Sequence, residues 1–306
     1  MKEDFPLRGI IGIVARSAAE VQAAIDARLS CVEIRADLLH DAGLDHADVE
    51  AIVRDASGAG LQTLYTLRHP DHGGTFRGSE SERAELTLAA LAAGANLADL
   101  EWRSEASRIA LEAGARLILS HHDFRAMPNE TELAAWTESM EANQPAAIKV
   151  VPTAGSIDDA VRMLNWVAQA RDCPRIGFAM GSAGACSRIL CIACGAPITY
   201  AAFGPAVAPG QLSITALRDT CGADRLDAST RAIAIAGTAL AEESALHALR
   251  AAHEYRPPAH TFVPVPVNDK AELIRNVEAL RIDAVAMDSA WGGDGITLVP
   301  AHDLVA

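Results

Sequence analysis

The chain has 306 residues, of which 50% are hydrophobic and 22% are charged, a balance that excludes disorder and collagen-like repeats. Its net charge of −14 repels phosphate backbones and anionic membrane surfaces, so we expect neither nucleic acid nor a membrane as a partner. The sequence lacks an apolar run long enough to span a membrane, and its first residues lack a signal-peptide pattern, which together predict a cytoplasmic protein.

Short apolar runs alternate with alanine-rich segments of helical period along the first two thirds of the chain. The eight predicted strands are 10–14, 31–34, 62–67, 98–102, 116–120, 147–151, 175–179 and 197–201. The predicted helices are 18–28, 47–57, 81–92, 105–112, 130–142, 157–170, 183–192 and 213–219. Eight strand-and-helix units predict an α/β fold of the (β/α)8 TIM barrel type. An open doubly wound sheet is the alternative, but no glycine-rich phosphate motif follows the first strand.

The alternation pauses at 220–224 and then resumes in a short carboxy-terminal tail. Its predicted elements are strands at 232–236, 261–267 and 283–287 and helices at 242–253 and 270–280. Because eight units already complete a barrel, this tail predicts a small appended βαβαβ domain. We therefore expect a barrel at residues 1–224 and a small α/β domain at 225–306.

Lysine is rare in this chain, which uses arginine for nearly all its cations; the lysines are Lys2, Lys149 and Lys270. Lys149 lies in the middle of the sixth predicted strand. A guanidinium stays protonated and is a poor nucleophile, whereas a desolvated amine loses its proton easily and can form a Schiff base with a carbonyl. The alternative is an inward lysine neutralised by a barrel carboxylate, such as Asp99 or Glu101.

Polar residues follow the carboxyl ends of the predicted strands, where the active sites of barrel enzymes form. They are Glu33, Arg35, Asp37, Arg68, His69, His121, His122, Asp123, Arg188 and Gln211. A histidine can move protons near neutral pH, and arginines suit a carboxylate ligand. Singly, each residue is typical of a rim salt bridge; together with Lys149, they favour an active site at the barrel mouth.

Six short motifs occur in order at these barrel positions. They are Glu33-x-Arg35-x-Asp37, Thr66-Leu67-Arg68 followed by Gly73-Gly74, His122-Asp123-Phe124, Ile148-Lys149, Met180-Gly181-x-x-Gly184-x-x-Ser187-Arg188 and Ala208-Pro209-Gly210-Gln211. With these motifs the sequence resembles, over about residues 8–222, the type I 3-dehydroquinate dehydratases, Schiff-base lyases of the shikimate pathway built on a (β/α)8 barrel.

The resemblance implies a mechanism for two of these residues. Lys149 would condense with the C3 ketone of 3-dehydroquinate, so that the iminium acidifies the C2 hydrogen. His122 would remove that proton and then protonate the leaving C1 hydroxyl, giving 3-dehydroshikimate. This chemistry needs neither a metal nor a cofactor.

The resemblance also implies how the substrate is held. Arg188 and Gln211 would bind the C1 carboxylate and hydroxyl, while Glu33, Arg35 and Arg68 would bind the ring hydroxyls. Many relatives in this family are dimers, so a homodimer is a further expectation.

Three positions depart from the family pattern. His72 replaces the glutamate that orients the catalytic histidine, Val207 replaces a serine of the substrate lid, and Met127 replaces a threonine. A carboxylate at position 72 would raise the basicity of His122, whereas a charged imidazole would lower it. Since Lys149, His122 and Arg188 are all present, we expect the activity to be retained in kind.

In its βαβαβ order the tail resembles the substrate-binding domain of shikimate dehydrogenase. The resemblance implies that the tail is a truncated remnant of such a domain. It lacks that domain's H-S-x-S-P loop, since 240–244 reads Leu-Ala-Glu-Glu-Ser, and no catalytic lysine follows a later strand. The run at 292–295 is a lone turn-like Gly-Gly-Asp-Gly segment. We therefore expect no NADP binding and no oxidation of shikimate.

Two other functions are compatible with the barrel residues. One is a Schiff-base enzyme of the aldolase kind, which would use Lys149 on a different ketone and would not need Arg188 and Gln211. The other is a non-catalytic binding protein in which the changes at His72 and Val207 mark a lost activity.

Overall fold

The computed structural model describes residues 5–170, 172–208, 210–236, 259–266, 270–287 and 297–305. Eight parallel strands surround its larger core: β1 Gly9–Val14, β2 Cys31–Arg35, β3 Gln62–Thr66, β4 Leu97–Glu101, β5 Leu117–Asp123, β6 Ala147–Pro152, β7 Arg175–Gly177 and β8 Ile198–Ala202. Their order in the sheet is β7-β6-β5-β4-β3-β2-β1-β8, so the ladder follows the chain and β1 pairs with β8. This is a near-closed (β/α)8 barrel, which confirms the predicted fold.

The helices lie outside the strands: α1 Ala19–Asp26, α2 Ala36–Asp41, α3 His46–Gly58, α4 Glu80–Ala92, α5 Glu105–Glu112, α6 Glu130–Glu141, α7 Ile157–Ala168 and α8 Ser187–Ala193. Five of them begin at a residue whose side chain accepts a hydrogen bond from the backbone N–H three residues later: Asp45, Ser79, Ser104, Asn129 and Ser156. Such caps satisfy donors that have no partner within the helix, and they fix where each helix starts. Among the described residues, no helix is both long and apolar enough to cross a membrane.

Several barrel elements differ from the sequence prediction, among them the short helix α2, which was not predicted. The predicted seventh strand extends to 179 but ends at Gly177, and the predicted helix at 183–192 begins only at Ser187. The cause is the backbone between them: Gly181 has φ +84°, and a Cβ atom at Gly184 would lie 2.5 Å from the carbonyl oxygen of Ala179. This compact turn continues the chain from β7 into α8, with Arg188 in the first turn of the helix. The last predicted barrel helix is in part a π-helix, Ala216–Thr220.

Several strands are buried along their whole length, because the inner face meets the core and the outer face meets the helices. The inner face carries polar side chains near the carboxyl ends of adjacent strands. These are Glu33 on β2, Thr66 on β3, Asp99 on β4, Ser120 on β5 and Lys149 on β6. Ser120 and Lys149 are direct neighbours in the register of β5 and β6. The barrel wall therefore gathers these groups into one dry layer.

The Gly73-Gly74 motif has a steric explanation. A Cβ atom on Gly74 would lie 2.0 Å from the backbone oxygen of Arg68, well inside contact distance. Only glycine lets the loop after β3 pass this close to its own strand end. The motif thus fixes the backbone around Arg68 and places His72 and Gly73 beside the barrel mouth.

The tail forms a separate four-stranded sheet in the order β10-β9-β11-β12. Its strands are β9 Arg231–Ala236, β10 His260–Val265, β11 Ile282–Met287 and β12 Thr297–Pro300, and its helices are α9 Lys270–Asn276 and α10 Ala301–Val305. β9, β10 and β11 are parallel, as a βαβαβ unit requires, whereas β12 is antiparallel and was not predicted. The predicted helix 242–253 and the segments 240–244 and 292–295 lie outside the described residues. The domain boundary at 224/225 stays a prediction.

The tail packs against α7, the helix that follows the strand of Lys149. Glu272 accepts a hydrogen bond from the backbone N–H of Ile157, the first residue of α7, at 2.7 Å. Asn276 donates to Asp158 at 2.7 Å. Because the first turn of a helix has unpaired N–H groups and a positive partial charge, the Glu272 carboxylate acts as a helix cap supplied from the tail.

We expect Glu272→Ala to lower the free energy of unfolding by about 1 kcal/mol, the usual effect of removing a helix cap. The measurement is a urea titration followed by circular dichroism. Glu278→Ala is the matched control, because this exposed glutamate lies just beyond the same helix and removing it changes the net charge equally. Equal stabilities of the two variants would contradict the capping role.

Candidate active site

A cavity of about 220 Å³ opens at the carboxyl ends of the barrel strands. The residues to which the family resemblance assigns a role line it: Glu33, Arg35, Arg68, His72, His122, Lys149, Arg188 and Gln211. Asp37, His69, His121 and Asp123, which were also predicted near the barrel mouth, do not. Tyr200 and Phe178 also line the cavity, and neither was predicted from the sequence. Of the predicted histidine pair only His122 lines the cavity; the His121 ring lies outside the barrel wall, with its centre 4.5 Å from that of Trp136.

Lys149 projects from the middle of β6 into the cavity and is buried. Its Nζ atom lies 3.0 Å from Oδ2 of Asp99 and 4.2 Å from the centre of the Tyr200 ring. The carboxylate partner considered in the sequence interpretation is therefore present, and it is Asp99 rather than Glu101. The amine nevertheless lines the same cavity as His122 and Arg188, so the ion pair and a chemical role are compatible.

Burial lowers the pKa of the Lys149 ammonium, and the Asp99 carboxylate opposes this without outweighing it. Asp99 is a weaker counter-ion than its distance suggests, because it also lies 3.0 Å from Arg68 and accepts a hydrogen bond from Ser120 at 2.5 Å. Burial alone would raise the pKa of Asp99, but Arg68 and Lys149 hold it well below its usual range. The amine therefore faces a carboxylate whose charge is divided among several donors.

A buried network of polar side chains surrounds the Asp99 carboxylate. Arg68 donates to Ser120 at 2.7 Å and lies 3.3 Å from Glu101, which is itself paired with the buried Arg83. Sequence reasoning named Asp99 and Glu101 only as alternative lysine partners and missed Ser120 and Arg83. The signal lies in the strand register, which a single sequence does not specify: Ser120 is directly opposite Lys149 in the parallel β5–β6 pair.

His122 lies at the cavity wall without a carboxylate to orient it. Its Nδ1 atom is buried and has no hydrogen-bond partner among the described residues, and the same holds for Nδ1 of His72. The two ring centres are 6.2 Å apart. Burial lowers the pKa of His122 well below its ordinary value, and the positive charges of Arg68 and Lys149 lower it further. His122 is thus a neutral imidazole at neutral pH.

The three arginines of the cavity differ in how their charge is balanced. Arg35 makes two hydrogen bonds to Asp37, at 2.9 and 2.8 Å, and Asp37 outweighs the effect of burial to raise the pKa of Arg35. Burial likewise opposes the charge of Arg68, but Asp99 and neighbouring carboxylates raise its pKa. For Arg188 burial prevails and lowers the pKa to about 10. A bound anion would stabilise the cation of Arg188 most.

The loop after β8 closes one side of the cavity. Gln211 accepts a hydrogen bond from the backbone N–H of Val207 at 3.0 Å, and this bond links residues 207 and 211 of the loop. Val207 presents an aliphatic side chain to the cavity. Met127, the third departure from the family pattern, packs against the core and does not line the cavity. On β2, two strands from β8, Glu33 accepts a hydrogen bond from Thr66 at 2.8 Å.

The barrel part of the chain is similar to known proteins. The family model for type I 3-dehydroquinase matches residues 11–226. The 3-dehydroquinate dehydratase of Pyrobaculum aerophilum is 34% identical over 212 residues, which are 68% of this chain and 68% of that protein.

Solved structures share the fold. The 3-dehydroquinate dehydratase of Geobacillus kaustophilus matches with a TM-score of 0.62 at 24% identity, over 69% of this chain and 89% of that one. Dehydroquinate dehydratase and shikimate dehydrogenase from S. pombe AroM matches with a TM-score of 0.58 at 20% identity, over 96% of this chain and 64% of that one. At these identities the structural likeness concerns the fold alone. From the family model and the Pyrobaculum relative, the chain belongs to the type I 3-dehydroquinase family, whose members are lyases.

Proposed function

We propose that the cavity dehydrates 3-dehydroquinate to 3-dehydroshikimate through an imine on Lys149, with His122 as general base and general acid. The observation that carries this proposal is a buried amine of lowered pKa that lines one cavity with an unprotonated histidine and a buried arginine. Family membership supports the overall reaction. The residue roles rest on the geometry and the charges of the cavity.

The first step is attack of the unprotonated Lys149 nitrogen on the C3 ketone. Loss of water from the carbinolamine leaves an iminium, which withdraws electrons from C2. The lowered pKa of Lys149 makes the free amine more abundant at neutral pH than in an exposed lysine. Asp99, 3.0 Å away, keeps the nitrogen oriented and accepts a hydrogen bond from it.

The second step uses both forms of His122. Because its pKa is low, the ring is free of a proton and can remove the acidified hydrogen from C2. The imidazolium that results is a stronger acid than an ordinary one, which favours transfer of the proton to the departing C1 hydroxyl. One histidine therefore performs both proton transfers, and the product double bond forms between C1 and C2. Hydrolysis of the iminium then consumes one water, releases 3-dehydroshikimate and restores the Lys149 amine.

Substrate orientation is assigned to the remaining cavity residues. Arg188 is the anchor for the C1 carboxylate, because its buried cation gains most from an anion, and Gln211 lies on the adjoining loop. Glu33, Arg35 and Arg68 are assigned to the ring hydroxyls. The network that holds Arg35 and Arg68 fixes their positions before substrate arrives, which reduces the entropic cost of orientation.

The oligomeric state and the location of the protein stay predictions. A homodimer and a cytoplasmic location follow from the sequence and from the family. The tail is assigned no dehydrogenase activity, so NADP-dependent turnover of shikimate by the purified protein would contradict its interpretation as a remnant domain.

We expect Lys149→Arg to abolish turnover, with a loss of at least about a thousandfold, because arginine keeps the charge beside Asp99 but supplies no nucleophile. The measurement is incubation with 3-dehydroquinate, reduction with borohydride and mass spectrometry, while the conjugated enone product is followed by absorbance. Lys270→Arg is the matched control and should leave both signals unchanged.

The same experiment separates the rival functions. An adduct on Lys149 together with the enone supports the dehydratase. An adduct formed only with other ketones would instead indicate an aldolase-type enzyme. Binding of 3-dehydroquinate with no adduct would indicate a non-catalytic protein.

Both Lys149 and His122 must be unprotonated, so we expect kcat/KM to fall with slope one below the pKa of Lys149 and with slope two below that of His122. This second, steeper limb should lie well below pH 6.5, because the pKa of His122 is lowered. His72→Glu places a negative charge near the imidazole, which stabilises the imidazolium and raises its pKa. The limb should therefore move to higher pH in this variant. His72→Gln is the neutral control and should leave it in place. A limb that stays unmoved in His72→Glu would show that residue 72 has no electrostatic contact with the base.

A further inference from the structure

Tyr200 places its aromatic face against the reacting nitrogen of the cavity. It lies on β8, where it is paired in register with Ile11 of β1, and its side chain is buried and lines the cavity wall. The ring centre is 4.2 Å from Nζ of Lys149, well within the 6 Å or so at which a cation is attracted to a ring face. Asp99 therefore provides one contact to this nitrogen, and an aromatic ring provides another.

The hydroxyl of Tyr200 does not explain why the residue is there. Its oxygen is buried and has no hydrogen-bond partner among the described residues. A buried hydroxyl without a partner contributes nothing favourable to stability. Burial also raises the pKa of the phenol well above its ordinary value, so the side chain is neutral at any pH at which the protein works. The aromatic ring is therefore the part of Tyr200 that contributes to the site.

We propose that the ring of Tyr200 is a catalytic group, which stabilises the positively charged Schiff base on Lys149 by a cation–π interaction. This inference rests on the proposed function, since it concerns the same imine. It adds a group that acts only on positive charge at the Lys149 nitrogen, above all on that of the covalent intermediate. Neither a proton transfer nor a hydrogen bond is assigned to Tyr200.

The charge changes along the reaction explain why a ring is useful at this point. The neutral amine forms the C3–N bond, and the carbonyl electron pair moves to oxygen, which takes up a proton. The carbinolamine then expels this oxygen as water with a second proton, while the nitrogen lone pair forms C=N⁺. The resulting iminium keeps one N–H. Counted from the neutral amine, amine plus ketone plus one proton gives iminium plus water, so a positive charge appears at the nitrogen as the covalent intermediate forms.

The ring favours the charged iminium over the neutral amine and the neutral carbinolamine that precede it. Asp99 alone is poorly suited to this task, because its charge is shared with Arg68 and the Ser120 hydroxyl. A π face also needs no reorganisation when the ammonium becomes an iminium, whose charge is spread over nitrogen and carbon. Another aromatic residue of the cavity, Phe178, faces a different cation: its ring centre lies 4.6 Å from the guanidinium carbon of Arg188.

The test compares Tyr200→Leu, which removes the ring, with Tyr200→Phe, which removes only the hydroxyl. Wild type and both variants are incubated with 3-dehydroquinate and reduced with borohydride, and the fraction of Lys149 that carries the adduct is measured by mass spectrometry. We expect about a tenfold lower adduct yield and kcat/KM in Tyr200→Leu, and recovery to within about twofold of wild type in Tyr200→Phe. Tyr65→Leu is the matched control: it removes a buried tyrosine ring on β3 that does not line the cavity, and it should leave the adduct yield unchanged.

A second measurement distinguishes the cation–π role from simple filling of space. The pH dependence of reductive methylation of Lys149 by formaldehyde and cyanoborohydride reports the pKa of its amine. Loss of a cation–π contact should lower that pKa in Tyr200→Leu, whereas water entering a cavity would raise it toward an ordinary lysine. Phenylalanines with increasing fluorine content at position 200 keep the shape of the ring and weaken its π face. With these residues the adduct yield should fall stepwise, and this series does not depend on whether Tyr200→Leu folds.

The outcomes separate the two proposals. If wild type forms no adduct, the Schiff-base function itself is wrong. If wild type forms the adduct and the fluorinated series or Tyr200→Leu forms it equally well, the function stands and the role of Tyr200 is overturned. A loss in Tyr200→Phe as large as in Tyr200→Leu would also overturn it, because the hydroxyl would then be the active group.

Discussion

The Nζ atom of Lys149 lies 3.0 Å from Asp99 inside a dry barrel, and the charge balance of the whole cavity depends on this contact. A buried ammonium with no counter-ion would be too costly to form, and one with a dedicated counter-ion would hold its proton too tightly to act as a nucleophile. The contact between Lys149 and Asp99 lies between these two cases. Asp99 is shared with Arg68 and Ser120, so the attraction is enough to orient the amine while burial still lowers its pKa.

The barrel wall makes this sharing possible. Arg68 follows β3, Asp99 lies on β4, Ser120 on β5 and Lys149 on β6, so four consecutive segments of the wall each contribute one member. The same positive charges also act on His122, whose pKa they lower together with burial. Through this coupling the residues that orient the amine also set the strength of the base. A neutral His72 beside His122 leaves that base weaker than a carboxylate at position 72 would make it.

The barrel could be predicted from the sequence because parallel strands buried on both faces appear as short apolar runs. Most observed strand and helix bounds lie within a few residues of the predicted ones. Where the prediction failed, local backbone geometry decided the structure. The helix expected at 183–192 starts late because Gly181 and Gly184 form a close turn, and β12 was missed because a short antiparallel edge strand has little pattern of its own.

The polar residues of the cavity were predictable to the extent that their chemistry is rare at their positions. A lysine in a buried strand of a chain that otherwise uses arginine indicates Lys149, and the motif order indicates His122 and Arg188. Tyr200 was missed, since Ile-Thr-Tyr-Ala-Ala resembles any buried strand and only closure of β8 onto β1 brings its ring to Lys149. Contacts across the barrel depend on register and closure, which a single sequence does not specify.

The central claim is that Lys149 loses its proton more readily than an ordinary lysine although a carboxylate lies beside it. The chain has three lysines, so protein labelled with ε-13C-lysine gives a spectrum simple enough to titrate residue by residue, with the Lys149 signal assigned by its loss in Lys149→Arg. The account predicts two signals that titrate near the usual value of about 10.4 and one, Lys149, that titrates clearly below it. A Lys149 signal that titrates at or above that value would contradict the account.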